Sequence, residues 1–361
     1  MARKPDGPLR RGWTTGACAT AAARAAYEAL LTGRFPDSVT VKLPGGGEPS
    51  FGLAEAEVGE GYAHAAVRKD AGDDPDVTHG ALVVASVTPG APGMGVSFRA
   101  GAGVGTVTRP GLALAVGEPA INPGPRRMMR EAIAAYAESR GADGDVEITV
   151  SIPGGEALAA RTTNARLGIE GGLSVLGTTG VVVPYSCASW IHSIHRGIDV
   201  ARAAGLTHLA ASTGRTSEAA VKALYGLEEV ALIDMGDFVG GTLKYLRRHP
   251  VPRLTIAGGF AKLSKLAAGH LDLHSGRSRV EVAALADLIA ALGAETALVA
   301  DARRARSGSE VLALAEGAGL ALADLVARRA REVALATLAG ETAVEVVVFD
   351  RSRAPVGRAG F

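Results

Sequence analysis

The sequence predicts an α/β protein in two domains. The first, over residues 1–160, is expected to carry a mixed or antiparallel sheet, and the second, over residues 161–361, a parallel sheet with crossover helices. Three observations lead there. At 361 residues the chain is too long for one ordinary hydrophobic core. In the first half, short β-branched or apolar runs are parted by Gly and Pro, as in hairpins. From residue 171 onward, apolar runs alternate with Gly-containing turns and helical stretches, which is the pattern of strands joined by crossovers.

Composition narrows the function classes. The chain is 47% hydrophobic but only 4% aromatic, so its packing must rest on Ala, Val and Leu, which suits helices lying close to sheets. With 38 basic and 37 acidic residues the formal charge is +1, so nothing drives the whole chain toward nucleic acid or an anionic membrane. Any acidic ligand must be held by local clusters. Two cysteines, Cys18 and Cys187, make neither a disulfide framework nor a cysteine-rich zinc site, and they fit a reducing compartment. The basic N-terminus lacks the apolar core of a signal peptide, and no apolar run reaches membrane-spanning length. A soluble, cytoplasmic protein is expected.

In chain order, a helix is expected over 16–31, with Thr14 and Thr15 offering a cap and Gly33 a stop. Cys18 falls in its first turn, where the helix dipole would favour a thiolate; the plainer role is a buried packing residue. Strands are expected over 38–43, 51–58, 62–69, 81–88 and 104–108. Four Asp residues between 70 and 76 do not have the spacing of a calcium loop and read as a solvated turn. A proline-rich approach leads into a helix over 126–139, which places Arg126, Arg127 and Arg130 on its opening turns, where amides and guanidinium groups favour a carboxylate or phosphate. A strand follows over 145–152.

The stretch 171–186, GGLSVLGTTGVVVPYS, organises the rest. Gly177, Thr178, Thr179 and Gly180 form either a tight turn between two buried strands or a set of exposed amides for a small polar ligand. Downstream, strands over 207–211, 230–234 and 253–257 each run into a Gly-containing turn. One of these turns carries Asp234, Gly236 and Asp237, and an acidic residue at a strand end commonly meets ribose hydroxyls. Another presents Lys262 and Lys265 at a helix start. His270 and His274 have helical metal-ligand spacing, but no third ligand is near, so no protein-bound metal is predicted. Helices over 279–292, 309–316 and 320–338, an exposed basic turn at 303–306, a buried strand over 342–349 and a surface tail complete the chain.

Several of these pieces resemble one family. They are LRRGWTTGACATAAA (9–23), TRPGLAL (108–114), EPAINPGPR (118–126), GGLSVLGTTGVVVP (171–184), DMGDFVGG (234–241), GGFAKLSK (258–265) and His274-Ser275. In this order, over most of the chain, they are similar to the CbiD family, the cobalt-precorrin-5B C1-methyltransferases of cobalamin biosynthesis. The chain departs from the family pattern at Gly259 and Ala261, where the pattern has His and Gly, at Leu273 in place of Thr, and at Gly124 in place of Val. Both lysines and His274 remain.

The resemblance implies an α+β N-terminal domain like domain 2 of ribosomal protein S5, and a Rossmann-like three-layer C-terminal domain. It also implies S-adenosylmethionine-dependent methylation at C1 of cobalt-precorrin-5B to give cobalt-precorrin-6A, the cobalt belonging to the corrinoid substrate. Carried onto this sequence, it suggests Gly177, Thr178, Thr179 and Gly180 as donor cradle, with Asp234, Gly236 and Asp237 on the ribose or sulfonium. Arg109, Arg126, Arg127, Lys262 and Lys265 would meet the substrate's carboxylate rim, with Thr14, Thr15 and Ser275 also on the substrate side. His274 would manage a proton, or else cap a helix or pack in a core. Substituting Val for Thr179 or Gly180 is expected to weaken donor binding more than folding. The sequence admits a homo-oligomer. Rival readings are a non-catalytic tetrapyrrole carrier and a nicotinamide-dependent corrinoid oxidoreductase; the lack of a clear Gly-x-Gly-x-x-Gly counts against the latter.

Overall fold

The computed structural model describes residues 7–361, and the chain forms two compact units, Met1–Ser186 and Cys187–Phe361. The division falls after Ser186 rather than after residue 160, because segment 161–186 is bonded into the first unit.

The first unit runs β1 (Gly12–Trp13), α1 (Thr15–Thr32), β2 (Ser38–Thr40), β3 (Ser50–Gly52), β4 (Glu55–Gly59), β5 (Tyr62–Arg68), β6 (Leu82–Pro89), β7 (Val96–Ala100), β8 (Thr106–Val107), α2 (Pro123–Arg140), β9 (Val146–Ser151), α3 (Gly155–Ala159), β10 (Ile169–Glu170) and β11 (Val181–Val182). Its main sheet has the order β4-β5-β6-β9-β7; all neighbours are antiparallel except β9 and β7, so the sheet is mixed. α1 begins where Thr14 Oγ1 accepts from the Ala17 amide at 3.2 Å and ends at the left-handed Gly33. Its alanines are fully buried. Having almost no side chain to order, they let the helix lie close on β5, β6 and α2. Larger groups finish this core: Tyr27, Met128, Met129, Ile133 and Ile148 are at most 2% exposed, each contributing roughly 1.5–3 kcal/mol by burial.

Cys18 is a packing residue. It is fully buried, and burial pushes its thiol up to about 12, which excludes the thiolate that a first-turn position alone would favour.

The acidic run is not a solvated turn. Lys69, 2% exposed, is paired with Asp76 and donates to Thr78; Arg10 pairs with Asp70; and Asp74 Oδ1 accepts from the Tyr185 amide at 2.8 Å. The run thus acts as a hub that ties two distant pieces of chain, at Arg10 and Tyr185, to the segment 69–78. Tertiary pairing also separates the two runs flanking residues 177–180, because Val175 bridges to Ile121 whereas Val181 pairs with Trp13. They are not neighbouring strands of one hairpin.

The second unit runs α4 (Cys187–Ala203), β12 (His208–Ser212), α5 (Arg215–Tyr225), β13 (Leu232–Asp234), α6 (Val239–Arg248), β14 (Arg253–Gly259), α7 (Phe260–Ala267), α8 (Val282–Ala291), α9 (Thr296–Arg304), α10 (Gly308–Gly317), α11 (Leu322–Leu338), β15 (Ala343–Phe349) and β16 (Pro355–Ala359). The sheet order is β13-β12-β14-β15-β16, parallel except for β16. Ala210, Ala257 and Val347 pack with Ala220 and Val221 of α5 on one face, and α7 and α11 lie against β15 from the other, giving three layers.

Two expectations are corrected here. Residues Arg303 and Arg304 close helix α9, where they pair with Asp287 and Asp301. The C-terminal residues form β16 instead of trailing: Gly357 lies so close to Ala323 that a Cβ would fall 2.4 Å from its backbone, and Arg358 Nε bonds the fully buried Glu345 at 2.6 Å. Glu345 also accepts from Thr255 Oγ1 at 2.9 Å and from the Tyr225 hydroxyl. Among the described residues no helix is long and apolar enough to cross a membrane.

Candidate active site

In the second unit the chemistry gathers at the C-terminal ends of the parallel strands. The chain leaves β12 toward β13 on one side and leaves β14 toward β15 on the other, so the ends of β12 and β14 make the topological switch point where open α/β sheets bind ligands. The Thr213 amide donates to Ala257 O at 2.9 Å, and a Cβ on Gly258 would fall 2.9 Å from Thr213 Oγ1. Glycine therefore lets the two strand ends approach. Across this place Lys262 Nζ donates to Thr213 O at 2.7 Å and lies 3.0 Å from Asp237 Oδ1. Asp237 is held in place by its backbone too, its carbonyl accepting from Leu273 N–H at 2.9 Å.

The turn before it is shaped by Trp190 of α4, whose Nε1 donates to Asp234 O at 3.2 Å and whose ring would sit 3.6 Å from a Cβ on Gly236. The Met235 and Gly236 amides both donate to Ser212 O at 3.1 Å, which locks this turn to the end of β12. Three turns separated by 20 or more residues in sequence thus converge, bringing Asp234, Gly236, Asp237 and Lys262 together. Sequence reading missed Trp190, and placed a Gly-containing turn after 207–211 without singling out Thr213. A lone Trp on a helix has no distinguishing pattern, although the strand-end position of Thr213 was a usable signal.

In the first unit, residues 177–180 form a turn whose four amide N–H groups bond no acceptor among the described residues. Its form is fixed by close packing. Thr14 N–H donates to Gly180 O at 3.0 Å, Gly16 N–H donates to Leu176 O at 2.8 Å, and a Cβ on Gly124 would fall 3.1 Å from Gly177 O. Unbonded amides in a turn are free to donate to an electronegative ligand atom. Thr14 and Thr15 are buried, and the Thr14 hydroxyl serves as the α1 cap, so both are scaffold for this turn.

The basic residues divide. Arg126 is fully engaged inside the unit, donating to Ile121 O at 2.7 Å and Pro119 O at 3.0 Å and pairing with Glu118 at 2.7 Å. Lys265, 7% exposed, donates to Leu273 O at 2.8 Å. Both side chains are thus engaged by groups of the chain itself. Arg127 is open, with Glu131 at 3.9 Å, and Arg109 makes no ion pair among the described residues.

His274 and Ser275 lie in an exposed turn, not on a helix, so the helical spacing of His270 and His274 has no meaning here. The Gly276 amide donates to His274 Nδ1 at 3.1 Å. Nδ1 therefore holds a lone pair, and in the neutral ring Nε2 carries the hydrogen and can donate a hydrogen bond. Among the described residues no cluster of His, Cys, Asp or Glu could hold a metal ion. A cavity of about 410 Å³ lined by Asp73, Asp74, Asp76, His79 and Arg161 is edged by carboxylates already bonded within the hub.

The model of the CbiD family matches residues 2–184, and that of the CbiD C-terminal domain matches residues 272–360. The chain belongs to the CbiD family. Among CbiD relatives, the cobalt-precorrin-5B C(1)-methyltransferase of Paramagnetospirillum magneticum is 61% identical over 97% of this chain and 98% of its own length. That of Rhodospirillum rubrum is 60% identical over 98% of each, and that of Halorhodospira halophila 59% identical over 98% of this chain and 95% of its own. A solved CbiD structure, a cobalamin biosynthesis protein from Archaeoglobus fulgidus, is 29% identical, covers 75% of this chain and 84% of that one, and has a TM-score of 0.42. The first CbiD match contains the 177–180 turn, while the strand-end cluster of Thr213, Asp237 and Lys262 falls between the two matched segments. The relatives, aligned over nearly the whole chain, extend across that gap.

Proposed function

We propose that this chain is a cobalt-precorrin-5B C1-methyltransferase using S-adenosylmethionine. The observation that carries the reading is 61% identity over 97% of the chain to a relative of that name. Bound S-adenosylmethionine supplies a methyl group already activated on sulfonium sulfur, which passes to ring carbon C1 and leaves S-adenosylhomocysteine. The protein's part is then to hold two reactants in line and to exclude water, which requires neither a protein metal nor a covalent intermediate.

Either of two places, one in each unit, suits a group of the donor: the unbonded amides of Gly177, Thr178, Thr179 and Gly180 a carboxylate, or Asp234 and Asp237, at the strand ends beside Gly236, ribose hydroxyls or a sulfonium charge. In the first unit Arg109 and Arg127 suit carboxylates of the kind that rim a corrinoid; in the second, Ser275 and the Nε2–H of His274 are separate candidate donors to a substrate.

The test is mass spectrometry of cobalt-precorrin-5B after incubation with the full chain and methyl-labelled S-adenosylmethionine, followed by location of the label. One labelled methyl at C1 is expected. Tight corrinoid binding with no label transferred would make the protein a carrier, and NADPH oxidation without transfer would make it an oxidoreductase.

A further inference from the structure

Lys262 is the residue whose sequence role and structural place disagree most. As a rim partner it would offer an unneutralised ammonium to an incoming carboxylate. Instead it sits over the ends of β12 and β14 with Thr213 O at 2.7 Å and Asp237 Oδ1 at 3.0 Å, and its side chain is 37% exposed. The contact to Asp237 is an ion pair without an aligned hydrogen bond: Oδ1 is buried and accepts from no donor among the described residues. Asp237 therefore keeps hydrogen-bond capacity while its charge is matched. An ammonium already beside a carboxylate has little field left for a polyanion, because the pair carries no net charge.

We infer that Lys262 is a positioning residue on the donor side: it spans the switch point, fixes the Asp237 carboxylate there for the ribose hydroxyls of S-adenosylmethionine, and does not itself meet the corrinoid. This rests on the methyltransferase reading and deepens it by dividing the basic residues between two ligands. Lys262 serves the donor through Asp237 and is withdrawn from the substrate's rim partners. Its geometry explains the choice of residue. A lysine on the first turn of α7 can place one point charge between a carbonyl at the end of β12 and a carboxylate of the neighbouring turn, whereas a planar guanidinium would need two coplanar acceptors for its preferred bidentate contact.

The test is titration of S-adenosylmethionine into the full chain by calorimetry, with wild type, Lys262→Met, Asp237→Asn and the double variant, alongside steady-state KM values for donor and corrinoid. Lys262→Met is expected to weaken donor binding about tenfold, with the corrinoid KM changed less than twofold at both low and high salt. Asp237→Asn should give a similar loss. The double variant should bind no worse than Asp237→Asn alone, since one residue acts through the other. Lys262→Arg, which keeps the charge, should recover part of the loss, and equal melting temperatures show that each variant is folded.

A raised corrinoid KM that relaxes with salt, with donor affinity unchanged, would return Lys262 to the substrate rim and overturn the inference. Additive losses in the double variant would overturn it as well, because Lys262 would then act independently of Asp237. If wild type binds no donor at all, the methyltransferase reading fails and the inference falls with it. If wild type and Lys262→Met bind donor equally, the inference alone fails.

Discussion

A Cβ on Gly177 would fall 2.2 Å from Thr14 Oγ1, the oxygen that caps α1. The helix start and the candidate donor turn are therefore one packing unit, and Gly177, with φ +126°, is required there on both steric and conformational grounds. Gly177→Ala is expected to cost about 2–4 kcal/mol, combining backbone strain with loss of the cap. Gly171→Ala has positive φ but open space around the Cβ, so it should cost only about 1 kcal/mol. Denaturant unfolding of the two variants decides it, and equal losses would mean that contact with Thr14 is unimportant.

Thr179→Val is the cleaner probe of donor binding in this turn. Its hydroxyl makes only local contacts, at 3.3 Å to Val181 O and Val181 N, so stability should change by less than about 1 kcal/mol. Donor affinity is expected to drop about fivefold in calorimetric titration. Gly180→Val, by contrast, would place a Cβ 2.5 Å from Leu43 Cδ2 at φ +83°. It should damage folding first, contrary to what the sequence suggests for that position.

Asp76→Ala should be among the most destabilising surface-turn substitutions in the protein. It leaves the ammonium of Lys69, 2% exposed, without its counter-charge, at a cost of about 3–5 kcal/mol. Lys69→Met removes the buried charge itself and should cost less. Comparing the two by urea unfolding checks the order, and a smaller loss in Asp76→Ala would show that Lys69 finds another partner.

The same hub predicts an acid limb. The Arg10 hydrogen bond, with help from the Gly72 amide, holds Asp70 down to about 2. At Asp76 burial works the other way, but Lys69 and Thr78 outweigh it and keep the carboxyl below its usual range. Both pKa values are depressed by folding, so their stabilisation is present above the unfolded value of roughly 4 and is lost as pH falls through the folded values. Stability should decline between about pH 4 and pH 2, and Asp70→Asn should flatten that slope in melts recorded across the range.

A second limb belongs to the second unit. His195 lies 3.9 Å from the Tyr245 ring in a parallel stack, and Tyr245 stacks on His249 at 4.2 Å. Burial pushes His195 and His192 below the ordinary histidine value, and does the same to His208 despite nearby Glu345. The neutral form is the one that folds, so this contribution is complete above about pH 6.5 and is lost as pH falls below it. His195→Phe keeps a stacking ring without a titrating nitrogen. It should reduce the loss of melting temperature between pH 6.5 and 5, and an unchanged slope would place the effect elsewhere.

The sequence by itself determined many of the elements and their order, though not α4, α9, β7 or β16. Thr14 and Gly33 bracket α1 because a hydroxyl cap and a left-handed glycine act within a few residues. The strand-turn-helix alternation from β12 to β14 carried the parallel sheet, and the separated motifs carried the family, since both are properties of the chain read in one dimension. Tertiary structure decided which charges are available. Arg126, Lys262 and Lys265 look like Arg127 in sequence, but folding brings carbonyl oxygens to the first three, that of Thr213 lying 49 residues from Lys262. It also turned an acidic run into a hub around Lys69 and pinned the C-terminal residues beside buried Glu345. Burial and pairing depend on residues 60 or more positions away, such as Arg10 for Asp70 and Tyr225 for Glu345, and no local pattern records them.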